Sequence, residues 1–212
     1  MGELTLEAVN AQLNEELDKF KSGALRPSEV LHLGMPLKIL QATGLKQGEM
    51  TVTQTTLKNH LSRHNLTTED LKELAKAIQI PLLVYRWGKN YPATTIVTEM
   101  TAADGRKITV GIRLENKGND LTVNEIATIH GKIGSHLLED WKKSTPEWLQ
   151  ENIRWVEKQK VLDWLGMAPP EGATLTDPKL LGITKVIQNF QNPKPPKGGD
   201  INMVKKPFHR RN

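Results

Sequence analysis

Residues 123–134, with the sequence VNEIATIHGKIG, bring together three residue types that are suited to handling phosphate. An alternation of apolar and polar residues, typical of a β-strand, leads into His130, Gly131 and Lys132. The imidazole titrates near neutral pH and can act as a general acid or base, and the ammonium can act as a point charge for phosphate oxygens. A surface turn would explain the glycine alone, whereas a phosphate-handling site would explain all three residues.

A second group of candidate residues is HLSRH, at positions 60–64. His60 and His64 are four residues apart on one face of a predicted helix, as in a metal-binding pair. No glutamate follows in the HExxH manner and no third ligand is near in sequence, so the sequence predicts no metal site. His64 could cap carbonyls at the end of its helix, or it could be the second imidazole of a nuclease, with Lys58 and Arg63 as phosphate contacts.

These residue types fit the cleavage of RNA without a metal ion. A base removes the proton of the 2′-hydroxyl, an acid protonates the leaving 5′-oxygen, and cations stabilise the charge that grows on the phosphorane. His130 could serve as the base or the acid, Arg113 or Arg86 could hold phosphate oxygens with two hydrogen bonds, and Glu99 is a candidate base. Each of these side chains could instead be structural or solvated, and that alternative stays open.

Composition and missing motifs exclude several other kinds of site. The chain has 212 residues, a net charge of +5 and no cysteine, which excludes disulfides, thiolate zinc sites and a cysteine nucleophile. Nucleotide-binding loops, the GxSxG elbow and the DxDxDG calcium loop are absent from the sequence. No cofactor is therefore predicted. Without a signal-peptide pattern or an apolar run of about 18 residues, a cytoplasmic protein with no membrane contact is expected.

The elements that would position the candidate residues follow from the periodicity of the chain. Before Pro81 the apolar residues recur at helical spacing, and after it the period changes to that of a strand. Short connections with turn residues join the second strand to the third and the third to the fourth, so the sheet is expected to be an antiparallel meander. The predicted helices cover residues 5–21, 36–43 and 54–63 and a segment capped by Thr67 and Asp70, and the predicted strands cover 82–87, 94–100, 107–114 and 121–129.

Alternation along the last two strands predicts one apolar and one polar face. Ile108, Val110, Ile112 and Leu114 would face the helices together with Val123, Ala127 and Ile129. The opposite side, called the polar face below, would carry Thr109, Arg113, Asn124, Thr128 and His130. Antiparallel sheets often have one wetted face, so this arrangement alone does not indicate a function. After Gly134 helices resume, and Trp141, Trp148 and Trp155 recur seven residues apart, which favours packing over base stacking.

Four segments in order carry a resemblance to a known family. LHLGMPLKILQATGL, TQTTLKNHLSRHNLTTEDLKELAKAIQIPLLVYRWG, TTIVTEMTAADGRKITVGIRLE and LTVNEIATIHGK together resemble the phage MuF C-terminal domain family, over about residues 28–135. Such domains occur in phage head-morphogenesis proteins and in polyvalent proteins of mobile elements. The resemblance implies the proposed barnase–EndoU–colicin–RelE-like fold, a metal-independent ribonuclease fold with N-terminal helices and a four-stranded antiparallel sheet.

The resemblance also implies site residues at matching positions. The helix motif with a late histidine falls on Lys58 and His64, and the strand that ends in Thr-Glu falls on Thr98 and Glu99. The last segment of the family pattern falls on Asn124, Ile126, Ala127, Ile129, His130, Gly131 and Lys132. This chain has His130 where other members carry Tyr, and Trp87-Gly88 where many relatives have Ser or Thr.

The predicted fold is therefore α+β, with N-terminal helices packed on a four-stranded antiparallel meander sheet, followed by C-terminal helices and a basic flexible tail. The expected divisions are an N-terminal helix (1–27), the α+β core (28–135), a helical extension (136–191) and a Pro/Gly/Lys-rich linker with a basic tail (192–212).

The predicted function is that of a metal-independent ribonuclease of toxin or effector type, encoded by a phage or mobile element. RNA or another nucleic acid is the expected partner, with an immunity protein or a phage or mobile-element protein as a further one. The alternative is a non-catalytic module of the same fold that binds nucleic acid or protein. The predicted roles are an acid–base pair formed by His64 and His130, orienting residues Glu99 and Thr98, and phosphate-binding residues Lys58, Arg86, Arg113 and Lys132.

Overall fold

The computed structural model describes residues 4–86, 93–117, 121–167, 175–193 and 203–204. The strands are Leu4–Thr5 (β1), Val30–His32 (β2), Met50–Thr53 (β3), Leu83–Arg86 (β4), Thr94–Thr101 (β5), Lys107–Lys117 (β6), Leu121–Lys132 (β7), Ile153–Val156 (β8) and Met203–Val204 (β9). The α-helices are Leu6–Ser22 (α1), Lys38–Ala42 (α2), Gln54–His64 (α3), Leu74–Ala77 (α4), Gly134–Trp141 (α5), Pro146–Asn152 (α6), Lys158–Trp164 (α7) and Pro178–Asn189 (α8).

Seven strands form one mixed sheet in the order β2-β3-β7-β6-β5-β4-β8, and β1 pairs separately with β9. The predicted α+β class is confirmed. The four predicted strands correspond to β4–β7, and neighbours among them pair in antiparallel fashion. The prediction of a four-stranded sheet is wrong, because β2, β3 and β8 extend it and β3 runs parallel to β7. These added strands are only three or four residues long, too short for alternation to identify them.

The sheet has an apolar core on each face. The first core contains the apolar stripe of α1 and residues such as Leu57, Ile96, Val110 and Ile129. The second core contains Leu83, Tyr85 and Val97 from the other face of the sheet, together with residues of α5–α8. Helices therefore cover part of the face that the sequence predicts to be polar, and the polar residues that remain there lie mainly on β6 and β7.

A β-bulge in β7 decides which residues share the polar face. Gly111 is opposite Thr128 and Ile112 is opposite Ile126, so Ala127 is an extra residue on its strand. Side chains alternate along a strand, so one extra residue shifts the alternation. The residues of β7 before Ala127 therefore point to the face opposite the one that uninterrupted alternation predicts. The prediction that Asn124 shares the polar face is wrong. Its side chain is buried, and its amide donates to the carbonyls of Lys46 and Gly48 instead.

Helix α3 lies beside β7 at the point where β3 ends. Only Met50 and Thr51 of β3 pair with β7. The Thr53 hydroxyl then accepts a hydrogen bond from the Thr56 amide, which caps the N-terminus of α3. Asn65, at φ 50°, ends the helix in the left-handed conformation. The short parallel pairing thus places the last turns of α3 against the C-terminal half of β7.

The helix predicted after Thr67 is interrupted. A 3₁₀ helix, Glu69–Leu71, is followed by Lys72 with ψ 140° and Glu73 with φ 71°, and only then does α4 begin. The Asp70 carboxylate accepts bonds from the Thr67 amide and hydroxyl and from the Ala103 amide, which ties this turn to the loop after β5. The structure buries the apolar residues that recur at helical spacing in this segment, namely Leu71, Leu74, Ala75 and Ile78.

The helices after the meander form the second core. At the start of α6 the Thr145 hydroxyl accepts a bond from the Trp148 amide, and Pro146 occupies the first helical position. Trp141 is buried and packs edge-on against Tyr85, with ring centroids 6.3 Å apart. No α-helix in the described ranges is both long and apolar enough to cross a membrane.

The predicted linker and tail, 192–212, lie largely outside the described residues. Within the described part, the Asn192 side chain accepts a hydrogen bond from the Val156 amide and donates one to the Val156 carbonyl. Asn192 therefore occupies one hydrogen-bonding position on the outer edge of β8.

Candidate active site

A cavity of about 240 Å³ lies on the polar face of the sheet. It is lined by side chains and backbone of β4–β7 and the residue before β5, namely Tyr85, Ala93, Thr95, Gly111, Arg113, Ala127, Thr128, His130 and Lys132. A Cβ atom at Gly111 would lie 2.5 Å from the Thr128 hydroxyl oxygen, so only glycine leaves room for that hydroxyl. The cavity thus combines an imidazole, an ammonium, a guanidinium and hydroxyl groups.

His130 belongs to a cluster of three imidazoles. The rings of His60 and His64 stack at 5.5 Å, and the rings of His64 and His130 lie 5.6 Å apart with an interplanar angle of 47°. The Nε2–H of His60 donates to the Ala127 carbonyl at 3.1 Å. This bond joins α3 to the bulge of β7. The cluster therefore holds His130 from the side of α3, while the other side of the His130 ring faces the cavity.

The surroundings of His130 disfavour its charged form. Burial, followed by the proximity of His64 and Lys132, lowers the pKa of His130 to about 4 from an ordinary value of 6.5. Burial also lowers the pKa of His64, with the neighbouring His60 and Arg106 acting in the same direction. At neutral pH the His130 ring is consequently neutral and can accept a proton.

Lys132 lies between the cavity and α5. Its ammonium nitrogen is 3.9 Å from the Asp140 carboxylate, and the lysine side chain is 19% exposed. Burial lowers the pKa of Lys132, and Asp140 opposes that effect. Burial and Asp140 together raise the pKa of Tyr85, so its hydroxyl stays protonated. Asp140 therefore contributes a negative potential behind the cationic side of the cavity.

Arg106 is a part of the site that sequence reasoning missed. Its Nη2 donates to the His64 carbonyl at 2.6 Å, and its Nε donates to Asp104 at 2.6 Å. A Cβ atom at Gly131 would lie 2.8 Å from the Arg106 Cβ, so the glycine makes room for this side chain. The predicted end of the strand at residue 129 is too early, because β7 continues through Gly131 to Lys132, which pairs with Lys107. The one feature of the sequence that could have indicated Arg106 is its place in the Asp-Gly-Arg turn before β6. From that turn its side chain reaches α3.

Five of the predicted site residues do not line the cavity: His64, which contacts His130 from α3, and four others. The Thr98 side chain is fully buried and donates to the Ile108 carbonyl. Glu99 is exposed and pairs with Lys160, and Lys58 is exposed on α3. Arg86 follows Tyr85 on β4 and so points to the opposite face of the sheet. Of the predicted residues, the structure brings together His64, His130, Arg113 and Lys132.

The described residues include no group of three or more histidine and carboxylate side chains that could hold a metal ion. Trp87 and Gly88, where many relatives carry Ser or Thr, lie outside the described residues.

Comparison with known proteins identifies the family. The model of the phage MuF C-terminal domain matches residues 55–163, slightly more than half of the chain. This range begins in α3, includes the whole meander and ends in α7, so it contains every residue that lines the cavity. The searches of curated proteins and of solved structures found no match. The chain therefore belongs to the phage MuF C-terminal domain family.

Proposed function

We propose that the cavity binds an RNA phosphodiester and cleaves it by acid–base chemistry of side chains alone. The observation that supports this proposal is the convergence of His130, Lys132 and Arg113 on one small cavity. Each supplies a group that the reaction needs: a proton acceptor, a cationic proton donor and a bidentate donor for phosphate oxygens.

His130 is the general base in this proposal. The neutral ring takes the proton of the 2′-hydroxyl, and the 2′-oxygen attacks phosphorus. The negative phosphate beside the ring raises the pKa of His130 above its value in the empty cavity, because an opposite charge favours the imidazolium. Proton transfer thus becomes more favourable once substrate is bound.

Lys132 is the general acid. As the bond from phosphorus to the 5′-oxygen breaks, the ammonium gives that oxygen a proton, which leaves a 2′,3′-cyclic phosphate and a free 5′-hydroxyl. Burial has already lowered the pKa of Lys132, which makes the ammonium a stronger acid than a solvated lysine. The guanidinium of Arg113 holds the non-bridging oxygens, where charge grows in the transition state.

His64 acts through His130 in this assignment. Its ring contacts His130 but does not line the cavity. It therefore keeps the base in position, and the acid–base pair is His130 with Lys132 rather than His130 with His64.

The test is cleavage of a fluorescent RNA oligonucleotide in EDTA, with the products separated by gel electrophoresis. We expect the substitutions His130→Ala and Lys132→Ala each to reduce the rate by about 10²–10⁴-fold. His136→Ala and Lys19→Ala are the matched controls, since both side chains are exposed and lie outside the cavity. Products ending in a 2′,3′-cyclic phosphate, or in a 3′-phosphate after its hydrolysis, are expected. Equal activity of the His130 variant and its control would overturn the assignment.

The alternative of a non-catalytic phosphate-binding module is favoured by one observation. With a pKa of about 4, His130 is a weak base in the empty cavity. For such a module the same assay would show no cleavage by folded wild-type protein, while RNA binding would weaken steeply as salt is raised. Arg113→Ala and Lys132→Ala would then reduce binding, and His130→Ala would have little effect.

A further inference from the structure

Three side chains at the β4–β8 end of the sheet carry hydrogen-bond donors for which the described residues supply no acceptor. Arg86 ends β4, and Arg154 and Trp155 belong to the neighbouring β8. The Nε of Arg154 and the Nε1 of Trp155 are buried, and neither finds a hydrogen-bond partner within the described ranges. In the part of the chain that the structure describes, no carboxylate pairs with Arg86 or Arg154. Buried donors normally find acceptors, so this group is incomplete as it stands.

The strand register brings two of these side chains, Arg86 and Trp155, to the first-core face. Val84 is opposite Trp155 and Tyr85 is opposite Ile153, which leaves Arg154 as the extra residue of a bulge. Trp155 shares the face of Val84, and Arg86, two residues further along β4, points the same way. This face is opposite the one that carries His130 and the cavity.

Gly44 allows the Arg86 guanidinium to lie where it does. A Cβ atom at Gly44 would be 3.2 Å from Nη2 of Arg86, and the glycine has φ 99°, a conformation that disfavours other residues. The guanidinium is therefore held against the loop after α2 instead of extending into solvent.

The two guanidinium groups repel one another. Burial lowers the pKa of Arg154, and the charge of Arg86 acts in the same direction. A half-buried cation without a counter-ion is unfavourable, and a second cation beside it adds to the cost. An oxyanion between the two arginines would remove the repulsion and satisfy the buried N–H groups at once.

We propose that Arg86, Arg154 and the indole N–H of Trp155 form a second anion site, which binds a single phosphate group. Two guanidinium forks and an indole present more donors than the two oxygens of a carboxylate can accept, whereas a phosphate offers three or four oxygens. The site does not depend on the proposed cleavage of RNA, because it lies on the other face of the sheet and uses none of the cavity residues.

The test follows the indole ¹H–¹⁵N signal of Trp155, assigned by its loss in Trp155→Phe, while inorganic phosphate is added at constant ionic strength. A saturable shift is expected in the wild type. Arg86→Gln and Arg154→Gln should each weaken binding about tenfold or more, because each removes a charged bidentate donor. Arg26→Gln, at an exposed arginine of the N-terminal region, should leave the titration unchanged.

Two further titrations distinguish binding at this site from binding in the cavity and identify the source of the phosphate. The double variant His130→Ala/Lys132→Ala should titrate like the wild type, and loss of the shift there would overturn the proposal. Repeating the titration with a dinucleotide distinguishes a backbone phosphodiester from free phosphate. Either ligand supports a phosphate site, whereas no saturable shift with both, or an equal shift in the arginine variants, would overturn it.

Thermal unfolding provides a second measurement if a glutamine variant folds poorly. Phosphate should raise the Tm of the wild type, because a ligand that binds only the folded state stabilises it. Arg154→Met replaces the half-buried cation with an apolar chain of similar length, so phosphate should raise its Tm less than it raises that of the wild type, by what the cavity alone contributes. An equal rise in Tm for both proteins would contradict the site.

Discussion

His130 is surrounded by groups that are cationic or can become cationic. His64, Lys132, His60 and Arg106 all act to lower its pKa, in addition to its burial. The cavity therefore has a positive potential around a neutral ring. It can attract an anion while His130 stays able to accept a proton. A bound phosphate would place a negative group in direct contact with that ring.

The low pKa of His130 predicts a specific dependence of stability on pH. The unfolded state binds a proton with a pKa near 6.5, and the folded state does so only near 4. The free energy of unfolding should therefore fall as the pH decreases from about 6.5 to 4, by on the order of 3 kcal/mol from this residue. His64 contributes a change of the same sign.

Urea unfolding at several pH values in this window checks the prediction. In His130→Gln the free energy of unfolding should decrease less steeply with falling pH than in the wild type, because that proton-binding difference is gone. His136→Asn, at an exposed histidine, should retain the wild-type slope. Parallel curves for the wild type and His130→Gln would show that folding does not lower the pKa of His130.

Asp140 is expected to control the proton affinity of Lys132. Its carboxylate raises the pKa of Lys132 against the effect of burial, so Asp140→Asn should lower that pKa further. The ¹³Cε resonance of Lys132, followed as a function of pH, reports the ionisation directly. Glu139→Gln provides the control, since Glu139 pairs with Lys142 on the exposed side of α5. An unchanged Lys132 titration in Asp140→Asn would mean that the ion pair does not form in solution.

At the scale of elements, α5 is fixed against α7 by a close backbone contact. A Cβ atom at Gly134, the first residue of α5, would lie 2.0 Å from the Trp164 carbonyl oxygen. The contact sets where α5 starts and thereby where Asp140 lies relative to Lys132.

Alanine at two helical glycines should therefore have opposite effects. Gly134→Ala should reduce the free energy of unfolding by about 3 kcal/mol or more, because backbone must move to relieve the overlap. Gly182→Ala in α8 should be neutral or stabilise by about 0.5–1 kcal/mol, since its Cβ would make an ordinary 3.5 Å contact with Pro146 and alanine favours a helix. Chemical denaturation of both variants tests the pair, and similar stabilities would contradict the contact.

At the scale of the whole molecule, the region that matches the family covers only part of the residues that form the two cores. Residues from Leu6 to Val52 supply nearly half of the first core, and Ile183 and Ile187 of α8 belong to the second core. All of these lie outside residues 55–163. The cavity walls thus depend on segments on both sides of the family region.

We expect a fragment of residues 55–163 to remain largely unfolded, because it would expose both cores and lose the parallel strand β3. Residues 1–193 should fold, since they retain both cores. Circular dichroism and the dispersion of amide NMR signals would distinguish the two. A cooperative unfolding transition in the fragment would show that the matched region folds without its neighbours.

Long periodic segments were predictable from sequence because many residues repeat the same pattern. The meander and the helix of residues 5–21 follow from apolar periodicity over eight or more positions, and His130, Lys132 and Arg113 converge because alternation holds around them. The strands β2, β3 and β8 were not predicted, because a segment of three or four residues is too short to show a period.

The errors at the candidate site arose where one residue changes the phase of a strand. The bulge at Ala127 moved Asn124 to the other face, and an irregularity between Val97 and Thr101 accompanies the burial of Thr98. A bulge depends on pairing with a neighbouring strand, so the pattern of a single strand does not reveal it. Arg106 was missed for a related reason: its contact with α3 joins positions 42 residues apart.

The bulge in β7 also allows the strand to change its length without turning over. Loss of Ala127 alone, with the pairing of β6 retained, would leave Thr128 opposite Gly111 and Ile126 opposite Ile112, so the remaining side chains of β7 would keep their faces. Asn124 would keep its bonds to the loop before β3, and the cavity would lose only Ala127 from its wall. Relatives whose β7 is one residue shorter at this point are therefore expected to present the same other side chains to the cavity.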